Sequence, residues 1–196
     1  MSIILNGTTG ITTPDLTSVD DITANSATVL TTAGVPASAM PAGSVLQVVQ
    51  FNYTARTSIA TGSYVALPIA ATITPSSTSN KILVRVVVHA GMSGGNEGLH
   101  GRLVCNNSFV PIYGDSASSR DQAWFHVGSH YSSYEIYPAV AEYLHSPAST
   151  SALTYAVWVR GHSTGYPISI NSSEGDADSS VASRTVSSIT LMEIAG

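Results

Sequence analysis

Between residues 81 and 89 (KILVRVVVH) the apolar positions keep a period of two. Ile82, Val84, Val86 and Val88 fall on one side of an extended chain, and Lys81, Leu83, Arg85, Val87 and His89 on the other. β-branched side chains dominate the first set, and their stiff χ1 suits a pleated surface better than a helix. Turn-forming residues bound the stretch on both sides, PSSTSN before it and AGMSGGN after it. The pattern predicts a central strand with one side in a core. Its other side mixes Leu83 and Val87 with two cations and a histidine, and a sister subunit is one candidate for the neighbour it faces.

The same reading applied along the chain predicts strands over 44–53, 64–74, 98–106, 108–113, 122–130, 134–144, 152–161, 167–171 and 186–194. Pro68 marks the second of these as an edge or bulged strand. Asn106-Asn107 predicts a tight hairpin turn between 98–106 and 108–113. The strands at 44–53 and 186–194 carry apolar residues on both faces, which suggests that they lie side by side in a sheet that faces other subunits. No amphipathic helix and no internal repeat is found. The expected fold class is all-β, an antiparallel β-sandwich of jelly-roll type with an extended N-terminal segment.

Residues 1–33 differ from the rest: they contain no aromatic and no basic side chain, and their apolar positions keep neither a helical nor a strand period. Such a segment cannot bury enough surface alone to offset its ordering entropy, so it needs a docking surface or further copies of itself. Residues 34–43, with two prolines and two glycines, read as a linker to a head domain over 44–196.

Composition narrows the function classes. Of 196 residues only 10% are charged, against ~25% in an ordinary soluble domain, which suits a β protein that hides surface in an assembly. The net charge of −5 and the lack of any basic cluster give no footprint for nucleic acid. Cys105 is the single cysteine, so no intrachain disulfide is expected. The start of the chain has no basic n-region, and no apolar run approaches a membrane span; synthesis in a cytoplasm without membrane insertion is the expectation.

Candidate chemistry is sparse. His126 and His130 stand at i,i+4, a metal-ligand spacing on a helix, but they fall in an expected strand; one histidine per chain on a three-fold axis is the alternative route to a metal. The acidic run Glu174-Gly-Asp-Ala-Asp178 offers oxygen ligands for calcium but no EF-hand spacing, and a solvated loop is the plainer reading. Gly114-Asp-Ser116 lacks the nucleophile elbow and the downstream partners of an esterase. Nothing points to a catalytic group, a bound cofactor or an enzyme. The loop aromatics Tyr131 and Tyr166, close to serine, histidine and glycine, are the candidate recognition residues, able to stack on a sugar or a partner protein.

Several phrases carry a resemblance: LNGTTGITTPDLTS at 5–18, AGSVLQVVQ at 42–50, ITPSSTSNKILV at 73–84, HSPASTSALTY at 145–155 and ITLMEI at 189–194. Together they resemble bacteriophage tail-fibre and virion-appendage proteins, with a short N-terminal anchor and a C-terminal jelly-roll head of the C1q or tumour-necrosis-factor sort. The resemblance implies a virion component and a homotrimer, with residues 1–33 docking on other virion proteins and the head touching a glycan or protein of the host surface. It implies no catalytic residue. A head-decoration or collar protein that projects from or stabilises the capsid is the alternative reading.

Overall fold

The structure is a computed structural model that describes residues 21–24, 27–31, 35–92, 98–128, 132–162 and 164–196. The chain forms two compact units, Met1–Pro41 and Ala42–Gly196. In the first, strands β1 (Asp21–Ala24) and β2 (Ala27–Thr31) pair as an antiparallel hairpin, which the sequence pattern did not predict. A single 3-10 turn, Ala37–Ala39, follows within the proline-rich stretch. Among the described residues no helix is long and apolar enough to cross a membrane.

The second unit is an all-β sandwich of two antiparallel sheets. The first sheet contains β3 (Val45–Tyr53), β4 (Thr57–Ile59), β6 (Lys81–Gly91), β10 (Tyr137–His145), β12 (Ile168–Ile170) and β13 (Ser187–Ile194). The second contains β5 (Val65–Ile73), β7 (Leu99–Cys105), β8 (Ser108–Phe109), β9 (Phe125–Val127) and β11 (Leu153–Arg160). Because β4 continues the line of β3, and β12 that of β13, each sheet has four rows. The first runs β3/β4, β13/β12, β6, β10; the second runs β5, β11, β7, β8/β9. Counted along the chain, the first row pairs with the eighth, the second with the seventh, the third with the sixth and the fourth with the fifth. That nested pairing is the winding of a jelly roll.

Strand β6 is central, with β10 along one side and β13 then β12 along the other. Ile82, Val84, Val86 and Val88 are fully buried while Lys81 and Arg85 are exposed, so the expected facing holds. Opposite them in the core stand Leu67, Ile69 and Ile73 of β5, Leu99 and Leu103 of β7, and Leu153, Tyr155, Val157 and Val159 of β11. At roughly 25 cal/mol per Å2 of apolar surface, this continuous double layer is the main source of stability.

Local chemistry explains the details. Strand β5 pairs only with β11, and its register slips opposite the residues between Ala156 and Trp158, where Pro68 removes a donor; it is both edge and bulged. Asn106 and Asn107 adopt φ of 47° and 64°, the paired positive values that a two-residue hairpin turn requires. The strands at the two ends of the unit do pair, β3 against β13.

Three expectations need correction, the first being the strand over 108–113, which is only Ser108–Phe109. The strand expected over 122–130 is only Phe125–Val127 within the described residues. The Arg102 side chain donates to the Gln122 carbonyl at 2.8 Å and the Trp124 amide to the Gly101 carbonyl at 2.8 Å, so 122–124 meet β7 through single bonds rather than a ladder. The three-residue strand β4 was not predicted, because one apolar residue, Ile59, gives no visible period.

Candidate functional site

The densest group of chemically capable side chains lies on the outward face of the second sheet. On β7, His100 and Arg102 alternate with the buried Leu99, Gly101 and Leu103, and so point outward together. On the neighbouring β11, Trp158 stands opposite Arg102 and Arg160 opposite His100. His126 of β9 pairs with His100 from the other side, and the two imidazole centroids are 4.8 Å apart. The segment 111–124 returns over this face and brings Asp121 into it.

Asp121 is the hub. Its Oδ2 accepts from the Tyr64 hydroxyl at 2.6 Å, and has His100 Nδ1 at 3.1 Å and Arg160 Nε at 3.5 Å. Both nitrogens are buried and lie off the line of a hydrogen bond, so those two approaches are electrostatic contacts. Among the described residues Oδ1 has only Arg102 Nη2, at 3.4 Å. The carboxylate side chain is 13% exposed, and the flanking guanidiniums offset much of its desolvation cost.

Arg102 is fixed in turn by aromatic faces. Its guanidinium carbon lies 4.5 Å from the Tyr64 ring centre, 5.2 Å from that of Tyr113 and 5.3 Å from that of Phe109. Phe109 stands edge-to-face with both Tyr64 and Trp158. Burial, then the hydrogen bond to Asp121, pushes the Tyr64 phenol above its ordinary range. Burial, with His126 acting the same way, holds His100 below its ordinary value against the pull of Asp121.

Beside this cluster a cavity of about 540 Å3 opens between β7, β9 and the segment 114–124. Its wall includes His100, Asp115, Arg120, Asp121, Trp124 and His126. Gly101 makes the arrangement possible. A β-carbon there would run into the Phe125 ring, which fills the place where an inward side chain of β7 would stand. Only glycine lets β9 close on β7 and lead segment 111–124 back over the outer face.

The second candidate surface is the outward face of the first sheet. One cross-strand row reads Val48, Met192, Leu83 and Leu144; the next reads Gln50, Thr190, Arg85 and Glu142; a third reads Asn52, Ser188, Val87 and Val140. Val48, Val140 and Leu144 are 56%, 54% and 44% exposed, so the first row presents contiguous apolar surface and the third an apolar half, Val87 and Val140. The Arg85–Glu142 pair between them, at 3.2 Å, is itself half exposed.

The residues singled out from sequence fare unevenly. Tyr131 lies outside the described residues, and so does His130. Tyr166 is exposed in the connection from β11 to β12 and is not part of the cavity wall. In the acidic run, Asp176 is bridged by Arg184 at 2.5 Å and Arg56 at 3.6 Å, so its charge is met by guanidiniums. Among the described residues no group of three or more acidic, histidine or cysteine side chains is placed to hold a metal ion. Sequence reasoning missed His100, Arg102, Asp121 and Arg160. The available signal was two polar side chains at i,i+2 on the outer face of an otherwise apolar strand, in a chain with very few charges.

No family model matches the chain, and no curated protein matches it. Among solved structures it is similar to a chain in the structure of infectious bursal disease virus Gx strain, at 10% identity and a TM-score of 0.37. The match covers 78% of this chain and 43% of that one, so this chain spans less than half of that protein's length.

Proposed function

We propose that the protein is a non-enzymatic structural component of a virion: a bacteriophage tail-fibre head that assembles as a homotrimer, docks on the particle through residues 1–33 and touches the host surface with its sandwich. The observation that carries the reading is the outward face of the first sheet. An isolated chain would leave Val48, Leu144 and Val140 in water around Met192, Leu83 and Val87, an arrangement that suits burial against further copies. The low charge content supports the same reading, since surface destined for subunit contacts is depleted in charge. The jelly-roll winding supports a head of the C1q or tumour-necrosis-factor sort, and the N-terminal phrases support an anchor. No cofactor, nucleic acid or membrane insertion belongs to this reading.

The test is made on particles. Deleting residues 1–33 should leave a folded head that is absent from purified virions, and those virions should fail to adsorb to cells. Virions that lack the protein yet adsorb normally would overturn the adhesive role in favour of a decoration or collar protein. A truncated chain that still incorporates would move the attachment site into the sandwich.

A further inference from the structure

We propose that the cavity beside Asp121 is a saccharide site that takes an uncharged pyranose ring. The inference deepens the adhesive reading above, on which its biological setting rests. The volume, about 540 Å3, is within the range of small-ligand pockets and ample for one or two sugar rings. The wall includes two aromatic residues, Trp124 and Phe125, together with the polar residues Asp121, Arg120, His100 and His126. A pyranose has the matching chemistry: C–H groups on its faces for the aromatic side, and a rim of hydroxyls that each donate and accept.

Charge decides between ligand classes. Two carboxylates, Asp115 and Asp121, face the cavity against one guanidinium, Arg120; Arg102 and Arg160 lie behind Asp121 and outside the wall. Arg102 and Arg160 already meet the charge of Asp121, and Arg120 offsets Asp115, so the wall holds no unmatched cation for a phosphate or a carboxylated sugar, and an uncharged polyol is favoured. Asp121 is also prepared as an acceptor. Oδ2 is engaged by Tyr64, but among the described residues Oδ1 has only the long Arg102 contact and keeps room for a sugar hydroxyl. The carboxylate is already held in place and largely desolvated, so a ligand would meet a preorganised group.

The chain has two tryptophans, Trp124 in the cavity wall and Trp158, absent from that wall and edge-to-face with Phe109, which makes a built-in control. The full-length protein labelled with fluorotryptophan is titrated by fluorine NMR with methyl glycosides of glucose, galactose, mannose, rhamnose and N-acetylglucosamine. N-acetylneuraminic acid, glucuronic acid and inorganic phosphate form the charged arm. The expected result is a saturable shift of the Trp124 resonance with at least one neutral glycoside and none of Trp158. Asp121→Asn should weaken it at least tenfold. Gly114→Trp should abolish it without loss of fold, because Gly114 lines the cavity and a β-carbon there meets nothing within 4 Å. Silence of the Trp124 resonance with every neutral glycoside, or a response to the charged ligands alone, overturns the proposal. Adsorption of virions carrying Gly114→Trp separates the two readings. Lost adsorption supports both. Unchanged adsorption, with sugar binding abolished, overturns the adhesive role of this pocket and leaves the saccharide site standing.

Discussion

Glu193 is only 1% exposed, yet it stands on the inward face of β13 in line with Ile189 and Leu191. Its Oε1 accepts from the Ser76 amide at 2.6 Å, the Ser76 hydroxyl at 2.8 Å and Asn80 Nδ2 at 2.6 Å, and its Oε2 from Gln47 Nε2 at 2.6 Å. Asn80 Oδ1 in turn accepts from the Gly196 amide at 3.2 Å. One carboxylate thus ties the turn before β6, the end of the chain and β3 into one latch. Glu193→Ala strips four donors at once. Ser76 and Gln47 are open enough for water to replace the carboxylate, but Asn80 is 5% exposed and stays dry. Counting one buried unsatisfied donor and a residue of charge-assisted bonding gives a loss of about 2–4 kcal/mol. For a domain of this size that is a fall in Tm of roughly 5–15 °C. The effect is pH-dependent. Burial alone raises this carboxyl's pKa, but the bonds from Asn80, Gln47 and Ser76 outweigh it and hold the group below its ordinary 4.5. A depressed folded pKa contributes stability that is present above the unfolded value and lost as pH falls through the folded one. Glu193→Gln, which places an amide against the Asn80 and Gln47 amides, should therefore melt well below wild type at neutral pH, and the gap should narrow below pH 4.5. Thermal melts followed by circular dichroism decide the matter. A neutral-pH Tm within about 2 °C of wild type, or a gap that stays constant into acid, would refute the latch.

Three further outcomes follow from the packing. Val86→Asp should cost several kcal/mol, because Val86 is fully buried between Ala141 and Ile189, whereas Arg85→Ala on the opposite face should melt nearly like wild type; the reverse result in thermal melts would invert the two faces of β6. Gly101→Val should displace Phe125 and with it segment 111–124, lowering Tm by an amount equivalent to about 1–3 kcal/mol and moving the Trp124 resonance; an unmoved resonance would show that the outer layer does not depend on β9. Asn107→Gly should be neutral or slightly stabilising at φ 64°, while Asn107→Val should cost about 1–2 kcal/mol in denaturant unfolding, and equal stability of the two would contradict the positive-φ turn.

What the sequence made legible follows the physics of burial. Period-two runs such as 81–89 are imposed by a core on one side of a strand, so their facing could be read directly and holds in the structure. The Asn-Asn turn and the Pro68 bulge were equally readable, because backbone constraints there are local. Glu193 could not be placed, since a charged residue in a core register is tolerated only through partners from 47, 76 and 80, which nothing local announces. The cluster around Asp121 was hidden for the same reason. His100 and Arg102 share β7, but Tyr64, Asp121 and Arg160 come from three other segments, and only the pairing of β11 with β5 and β7 and the return of 111–124 bring them together. The hairpin at 21–31 has too few residues per strand to display a period.

The outward face of the first sheet is proposed to be a surface between subunits. Multi-angle light scattering of the full-length protein across a hundredfold range of concentration measures that claim directly. Wild type should elute as one species at three times the 20.3 kDa chain mass. Leu83→Arg, which puts a guanidinium in the middle of the Val48–Met192–Leu83–Leu144 row, should shift the mass toward that of a single chain while circular dichroism shows an intact sandwich. A wild type that stays a monomer at micromolar concentration, or a Leu83→Arg variant that keeps the full oligomeric mass, would contradict the account.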